Sequence, residues 1–204
     1  MFVLYVLLGA GVSSRPPAGL DLAAGSLVGA DTPLAAALTA LGRFPAYGTL
    51  CVFVLALGVA HRVWLGRSVS AVGLLIVAEL TSDFFKTVFV RPRPEHWLVT
   101  HETSYSYSSG HATNSLTFYG FWAYIALRST LPAALRIVIA AALLGISAAI
   151  GWSRLALGAH YPSDVVGGYL LGAIALDLGL TVVPGRFLGL ERQKSRGAVR
   201  PKSL

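Results

Sequence analysis

RIVIAAALLGISAAIGWSRLALGAHYPSDVVGGYLLGAIALDLGL, residues 136–180, holds two apolar runs joined by a short polar hinge. Residues 137–153 carry no charged side chain, and residues 165–185 carry only Asp177. A span of the bilayer core takes about 20 mainly apolar residues, within a range of about 17–25, so each run predicts a transmembrane helix. The hinge then falls where a membrane segment meets water. It nevertheless gathers Ser153, Arg154, His160 and Asp164 into one short stretch.

The pattern extends outward along the chain. Residues 44–60 and 112–127 are also free of charge, and residues 68–90 are apolar apart from Glu79, Asp83 and Lys86. Five transmembrane helices follow. Residues 1–14 lack the basic start of a signal peptide and read as a short first helix. Residues 18–43 are broken by Asp21, Asp31 and Pro33 and predict a short interfacial helix near residues 34–41. Of the 204 residues, 55% are hydrophobic and 12% charged, with a mean hydropathy of +0.68. Soluble domains carry about 25% charged residues. The expected fold class is therefore all-α, an integral membrane bundle of about six transmembrane helices. One domain is expected over residues 1–190, with residues 191–204 a basic, disordered tail. Neither a repeat nor a second domain is evident, and the single Cys51 allows no intrachain disulfide.

The formal net charge of +7 would suit a nucleic-acid partner, but its distribution points elsewhere. Arg62, Arg67, Arg128 and Arg136 sit in two tight connections, and Arg186, Arg192, Lys194, Arg196, Arg200 and Lys202 crowd the C-terminal end. With alternating helices these share one face, which the positive-inside rule makes cytoplasmic. The basic bias thus reports topology in the inner membrane, with a cytoplasmic C-terminus and no nucleic-acid partner expected. The opposite, outer face receives the loops that carry chemistry.

Three clusters converge there. In KTVFVRPRP, residues 86–94, Lys86 ends a helix, and Pro92 and Pro94 stiffen the exit that aims Arg93. In YSSGHA, residues 107–112, Ser109-Gly110-His111 opens a helix, whose free N–H groups and dipole favour an anion. In the hinge, Arg154 offers a bidentate donor for phosphate-like oxygens. His160 and Asp164 are four apart, so on a helix the carboxylate can fix the imidazole tautomer. Each cluster alone has a plainer reading: snorkelling cations, a helix cap, a structural His–Asp pair or a pair of metal ligands. Together they place three cations, two histidines, a hydroxyl and a carboxylate on one membrane face.

Lys86-x6-Arg93-Pro94, Ser109-Gly110-His111 and Ser153-Arg154-x5-His160-x3-Asp164 resemble the three-part signature of the type 2 phosphatidic acid phosphatase family, which includes membrane lipid phosphatases and soluble vanadium haloperoxidases. The likeness covers residues 86–164 by motif and the rest by helix layout. One position departs from it: Ser108 stands where the family usually has Pro. The resemblance implies hydrolysis of a lipid phosphate with His160 as nucleophile, Asp164 orienting it and His111 as general acid and base. Lys86, Arg93, Ser109, Gly110 and Arg154 would bind phosphate. No cofactor and no metal are implied, and the partners are a lipid phosphate and the bilayer. The number of copies is left open. The small size suggests a bacterial member, with undecaprenyl diphosphate as the favoured substrate. Phosphatidylglycerol phosphate, phosphatidic acid and a lipid A phosphate are the alternatives.

Asp83, His101 and Tyr107 are candidates to support the site residues from behind or to contact the head group. Glu79, Asp83 and Lys86 stripe one helix face, where an Asp83–Lys86 ion pair is expected to be structural, as is Asp177. Gly168 and Gly172 predict close helix packing. His96, Trp97, Glu102 and Tyr105 decorate the outer loop, where they could shape head-group choice. Rival classes are a transporter, which would show inverted repeats and broken helices, a metal-dependent hydrolase built on His111, His160 and Asp164, a non-catalytic lipid-binding protein, and a haloperoxidase, against which the membrane helices speak.

Overall fold

The computed structural model describes residues 1–95, 98, 102–185 and 187–188, and among these every regular element is helical. Helix α1 spans Phe2–Ser13 and α2 spans Leu20–Ala23, followed by a 3-10 turn over Ala24–Leu27. Then come α3 (Thr32–Leu41), α4 (Phe44–Ala60), α5 (Arg62–Phe89), α6 (Gly110–Leu127), α7 (Ala133–Ala156) and α8 (Pro162–Val182). Local chemistry sets the boundaries. The Asp31 carboxylate accepts from the Leu34 N–H at 3.3 Å to cap α3. Pro45 and Pro162 occupy the first turns of α4 and α8, where no N–H is needed. Gly158 takes φ 67°, the left-handed conformation that lets the chain turn from α7 toward α8.

Helices α5, α7 and α8, with 28, 24 and 21 residues, are long and apolar enough to cross a membrane. The pair of residues 20–27 and α3 would make a fourth if read as one broken span, bent by 113°. Helices α1 and α4 are shorter apolar helices. The charge-free run at residues 112–127 has a different character from the one its sequence suggests. Helix α6 is the centre of the bundle, packed against α5, α7 and α8, and buries Thr113, Asn114, Ser115 and Thr117 among them. Its polar groups are tied off locally: Thr117 donates to the Thr113 carbonyl at 2.8 Å, and Ser115 meets Ser147 of α7 at 2.9 Å.

Two apolar clusters hold the helices together. Tyr47, Leu75, Phe118, Phe121 and Ile150 join α4 through α7, while Tyr5, Tyr107 and Leu171 anchor α1 against the bundle. Outward, Val52, Phe53, Ile76, Val77, Leu80, Phe84, Ile137, Val138 and Leu178 are exposed, an apolar coat suited to acyl chains. The two glycines expected to permit close packing do so. A Cβ at Gly168 would lie 2.5 Å from the Ser109 carbonyl, and one at Gly172 would lie 2.8 Å from that of Thr113. Helix α8 therefore rests directly on the start of α6, where the second motif lies.

Candidate active site

The three motifs meet at one end of the bundle. Lys86 ends α5, Ser109 to His111 open α6, Arg154 lies in the last turn of α7, and His160 and Asp164 sit in and after the turn into α8. Arg154, Asp164 and Ser109 are fully buried, and His160 and Lys86 nearly so. Neighbouring loops are stitched together by main-chain bonds. The Ser106 N–H donates to the Arg91 carbonyl at 2.8 Å, and that of Ser109 to the Asp164 carbonyl at 3.0 Å.

His160 is held at both ring nitrogens. Arg93 Nη1 donates to Nε2 at 3.0 Å, so the ring proton belongs on Nδ1. Nδ1 faces Ser106 Oγ at 3.3 Å and Asp164 Oδ2 at 3.6 Å. Ser106 in turn donates to Asp164 Oδ2 at 2.5 Å, so the hydroxyl stands between imidazole and carboxylate. The Tyr161 N–H also donates to Oδ2 at 2.8 Å, so Asp164 fastens the start of α8 as well. Burial, reinforced by the charges of Arg93 and Arg154, pushes the His160 imidazole well below its ordinary range. The ring is thus neutral near pH 7.

The phosphate-binding candidates form a clamp. Arg93 Nη2 meets Glu102 Oε2 at 2.8 Å and Arg154 Nη2 meets Glu102 Oε1 at 2.7 Å. One carboxylate therefore joins arginines from the first and third motifs. Arg154 also donates to Thr39 Oγ1 of α3 at 2.6 Å, and Arg93 Nε to the Ser104 carbonyl at 2.7 Å. Burial pushes the Glu102 carboxyl up, but Arg154 and Arg93 outweigh it and hold it below the usual carboxylate range. Burial lowers the Arg93 guanidinium, against the pull of Glu102 and Asp164.

Among the described residues, Ser109 Oγ, His111 Nε2 and Arg154 Nε are buried without a hydrogen-bond partner, although such groups are nearly always satisfied. Lys86 Nζ lies 3.4 Å from the Cβ that a side chain at Gly110 would have, so glycine leaves the ammonium close to the N-terminus of α6. A cavity of ≈ 990 Å³ opens from this point. Lys86, Glu102, Gly110 and His111 line its polar end, and Tyr47, Cys51, Leu75 and Ile76 continue it between α4 and α5.

Other candidates find plain places. Lys86 bonds Asp83 at 2.9 Å, an ion pair whose acid is exposed, and Asn114 donates to Glu79 across α5 and α6. Asp177 is exposed. Tyr107 is not a head-group contact. It is fully buried, stacks on Tyr5 and donates to the Tyr5 carbonyl at 2.9 Å, supporting its loop from behind. Ser108, in the place of the family's Pro, is buried with its hydroxyl 3.3 Å from that of Tyr5. His96, Trp97, His101 and the tail at residues 191–204 lie outside the described residues. Among the described residues no group of three or more His, Cys, Asp or Glu is spaced to hold a metal ion. Four polar participants were not singled out from sequence: Asp21, Thr39, Arg91 and Ser106. Of these only Arg91 carried a signal, as a second arginine beside the stiffened Arg93.

Three comparisons bear on this arrangement. Phosphatidylglycerophosphatase B of Bacillus subtilis (strain 168) is 32% identical over 103 residues, 48% of this chain and 49% of that protein. The chain thus matches about half the length of that curated relative. A crystal structure of the first transmembrane PAP2 type phosphatidylglycerolphosphate phosphatase from Bacillus subtilis shares the fold, with a TM-score of 0.77, 24% identity, and 88% of this chain and 92% of that one covered. The family model of the PAP2 superfamily matches residues 67–187, more than half of the sequence and all three motifs. The chain belongs to the PAP2 superfamily.

Proposed function

We propose that the protein is a lipid phosphate phosphatase that works at the outer membrane–water boundary through a phosphohistidine. One observation carries the reading: Arg93 and Arg154 close on the two oxygens of a single carboxylate, beside a neutral imidazole whose Nε2 is 3.0 Å from Arg93 Nη1. Glu102 stands where a phosphate would be gripped, and a lipid phosphate must displace it.

In the proposed reaction the bound phosphate draws Arg93 Nη1 off Nε2 of His160, the freed Nε2 attacks phosphorus, and the bond from phosphorus to the leaving oxygen breaks. His111 gives that oxygen a proton; the dianionic phosphate beside it favours the imidazolium that this requires. Asp164, with Ser106 between, takes up the positive charge that develops on His160. Water then gives a proton to His111, attacks phosphorus and releases inorganic phosphate and free His160. Lys86, Arg93, Arg154, Ser109 and the Gly110 N–H meet the charge on the non-bridging oxygens with donors already in place.

The cavity supports a lipid as substrate. Its charged end lies at the motifs and its apolar end between α4 and α5, matching a phosphate on a hydrocarbon anchor. Phosphatidylglycerol phosphate is supported by the name of the relative. Undecaprenyl diphosphate is the other candidate, since it too presents a phosphate on a hydrocarbon anchor. The arginine distribution supports a site on the exterior face and a cytoplasmic C-terminus. The test is phosphate release from both lipids, phosphatidic acid and a lipid A phosphate by purified protein in EDTA. Turnover of at least one is expected. Inactivity restored only by zinc or magnesium would contradict it.

A further inference from the structure

The N-terminal segment reaches into the site through a chain of buried charges. Arg91 is 2% exposed and lies between two carboxylates. Its Nη1 donates to Asp164 Oδ1 at 2.5 Å and to Ser163 Oγ at 2.6 Å, and its Nη2 meets Asp21 Oδ2 at 2.7 Å. Asp21 Oδ1 accepts from the Ser163 N–H at 3.0 Å, and Oδ2 from the Ser163 hydroxyl at 2.7 Å. The Arg91 guanidinium also lies over the Tyr161 ring, 4.4 Å from its centre. Asp21 thus grips both Arg91 and the first turn of α8, the turn that carries Asp164. Asp21 belongs to α2, outside the residues that the family model matches.

Charge counting gives this chain a consequence. A buried carboxylate needs a cation, and Arg91 supplies one to Asp164. That pair alone would be neutral and would offer His160 little compensation when it becomes an imidazolium. Asp21 returns the trio to a net charge of −1. It does so without touching His160, while holding the guanidinium to the geometry that aims Asp164.

We propose that Arg91 and Asp21 are positioning residues for the nucleophile, acting on His160 through Asp164, so that α2 is part of the active site's support. The proposal rests on the phosphohistidine reading above. Its test uses the full chain in detergent with dioctanoyl phosphatidylglycerol phosphate and dioctanoyl phosphatidic acid as probes.

Loss of an outer partner of an oriented histidine ligand in metal sites typically costs about 10–100-fold, and Arg91→Gln should lower kcat by a similar factor. KM should stay within about threefold, because the clamp is untouched. Arg91→Lys, which keeps the charge but loses the two-sided fork, should recover part of the loss. Asp21→Asn should lower kcat by roughly 3–10-fold, and the double variant Asp21→Asn with Arg91→Gln should fall no further than Arg91→Gln alone. A brace that merely held α2 in place would give additive losses or raise KM. Either result overturns the proposal, as does unchanged kcat in Asp21→Asn and Arg91→Lys, which carry the test should Arg91→Gln fail to fold. His160→Ala separates the two levels. Activity surviving in it removes the phosphohistidine reading and the proposal together. An inactive His160→Ala beside unaffected Asp21 and Arg91 variants removes the proposal alone.

Discussion

His160 and His111 stand in opposite surroundings. His160 meets Arg93 at one nitrogen and Ser106 with Asp164 at the other. His111 Nε2, like Ser109 Oγ and Arg154 Nε, is buried without a hydrogen-bond partner among the described residues. One half of the site is complete without a ligand, and the other has donors waiting for one. The difference follows from the reaction proposed. A nucleophile must be neutral and aimed before substrate arrives, whereas a general acid gains its partner, the leaving oxygen, only from the substrate. Glu102 belongs to neither half: it holds the clamp with a carboxylate that substrate must replace.

Breaking the waiting half at Arg154 should have the larger effect. Arg154→Ala removes a donor held for the transition state and should lower kcat by about 10²–10³. It should also raise KM, since the same guanidinium holds the bound phosphate, and steady-state kinetics on a lipid phosphate checks both. His111→Ala should lower kcat by roughly 10²-fold with little change in KM. The loss should be greater for a simple monoester, which expels an alkoxide, than for a lipid diphosphate, which expels a phosphate. Equal losses on the two would make His111 a positioning group rather than the acid.

Glu102→Gln should act in the reverse direction and most weakly. The Glu102 end of both ion pairs is partly exposed; at roughly 0.2–1 kcal/mol for each pair, removing the competing charge should lower KM by about 2- to 30-fold. Inhibition by vanadate should strengthen in parallel. A raised KM would instead mean that Glu102 shapes the clamp and is not displaced from it.

The fold class and the motif residues were legible because charge is scarce in this chain, so polar groups at helix ends stand out. The spacing of His160 and Asp164 suggested two side chains facing each other on one helix; His160 instead precedes α8, 3.6 Å from the carboxylate, and the hydroxyl of Ser106 between them was not visible. It comes from a loop 54 residues away. Asp21 likewise read as a break in a weak apolar segment, since its partner Arg91 is 70 residues distant. Tyr107 was expected either to support the site residues or to contact a head group, and burial of its ring against Tyr5 of α1 is compatible only with the supporting place. Glu102 read as an outer-loop residue that could shape head-group choice, because nothing local shows that two distant arginines converge on it.

The most direct measurement of the central claim is capture of the covalent intermediate. Protein mixed with lipid phosphate labelled in the terminal phosphate, then quenched in alkali, should carry label on His160 that is stable to base and lost in acid. His160→Ala should carry none and should retain less than a few per cent of turnover. Label on another residue, or turnover by His160→Ala near the wild-type rate, would contradict the account.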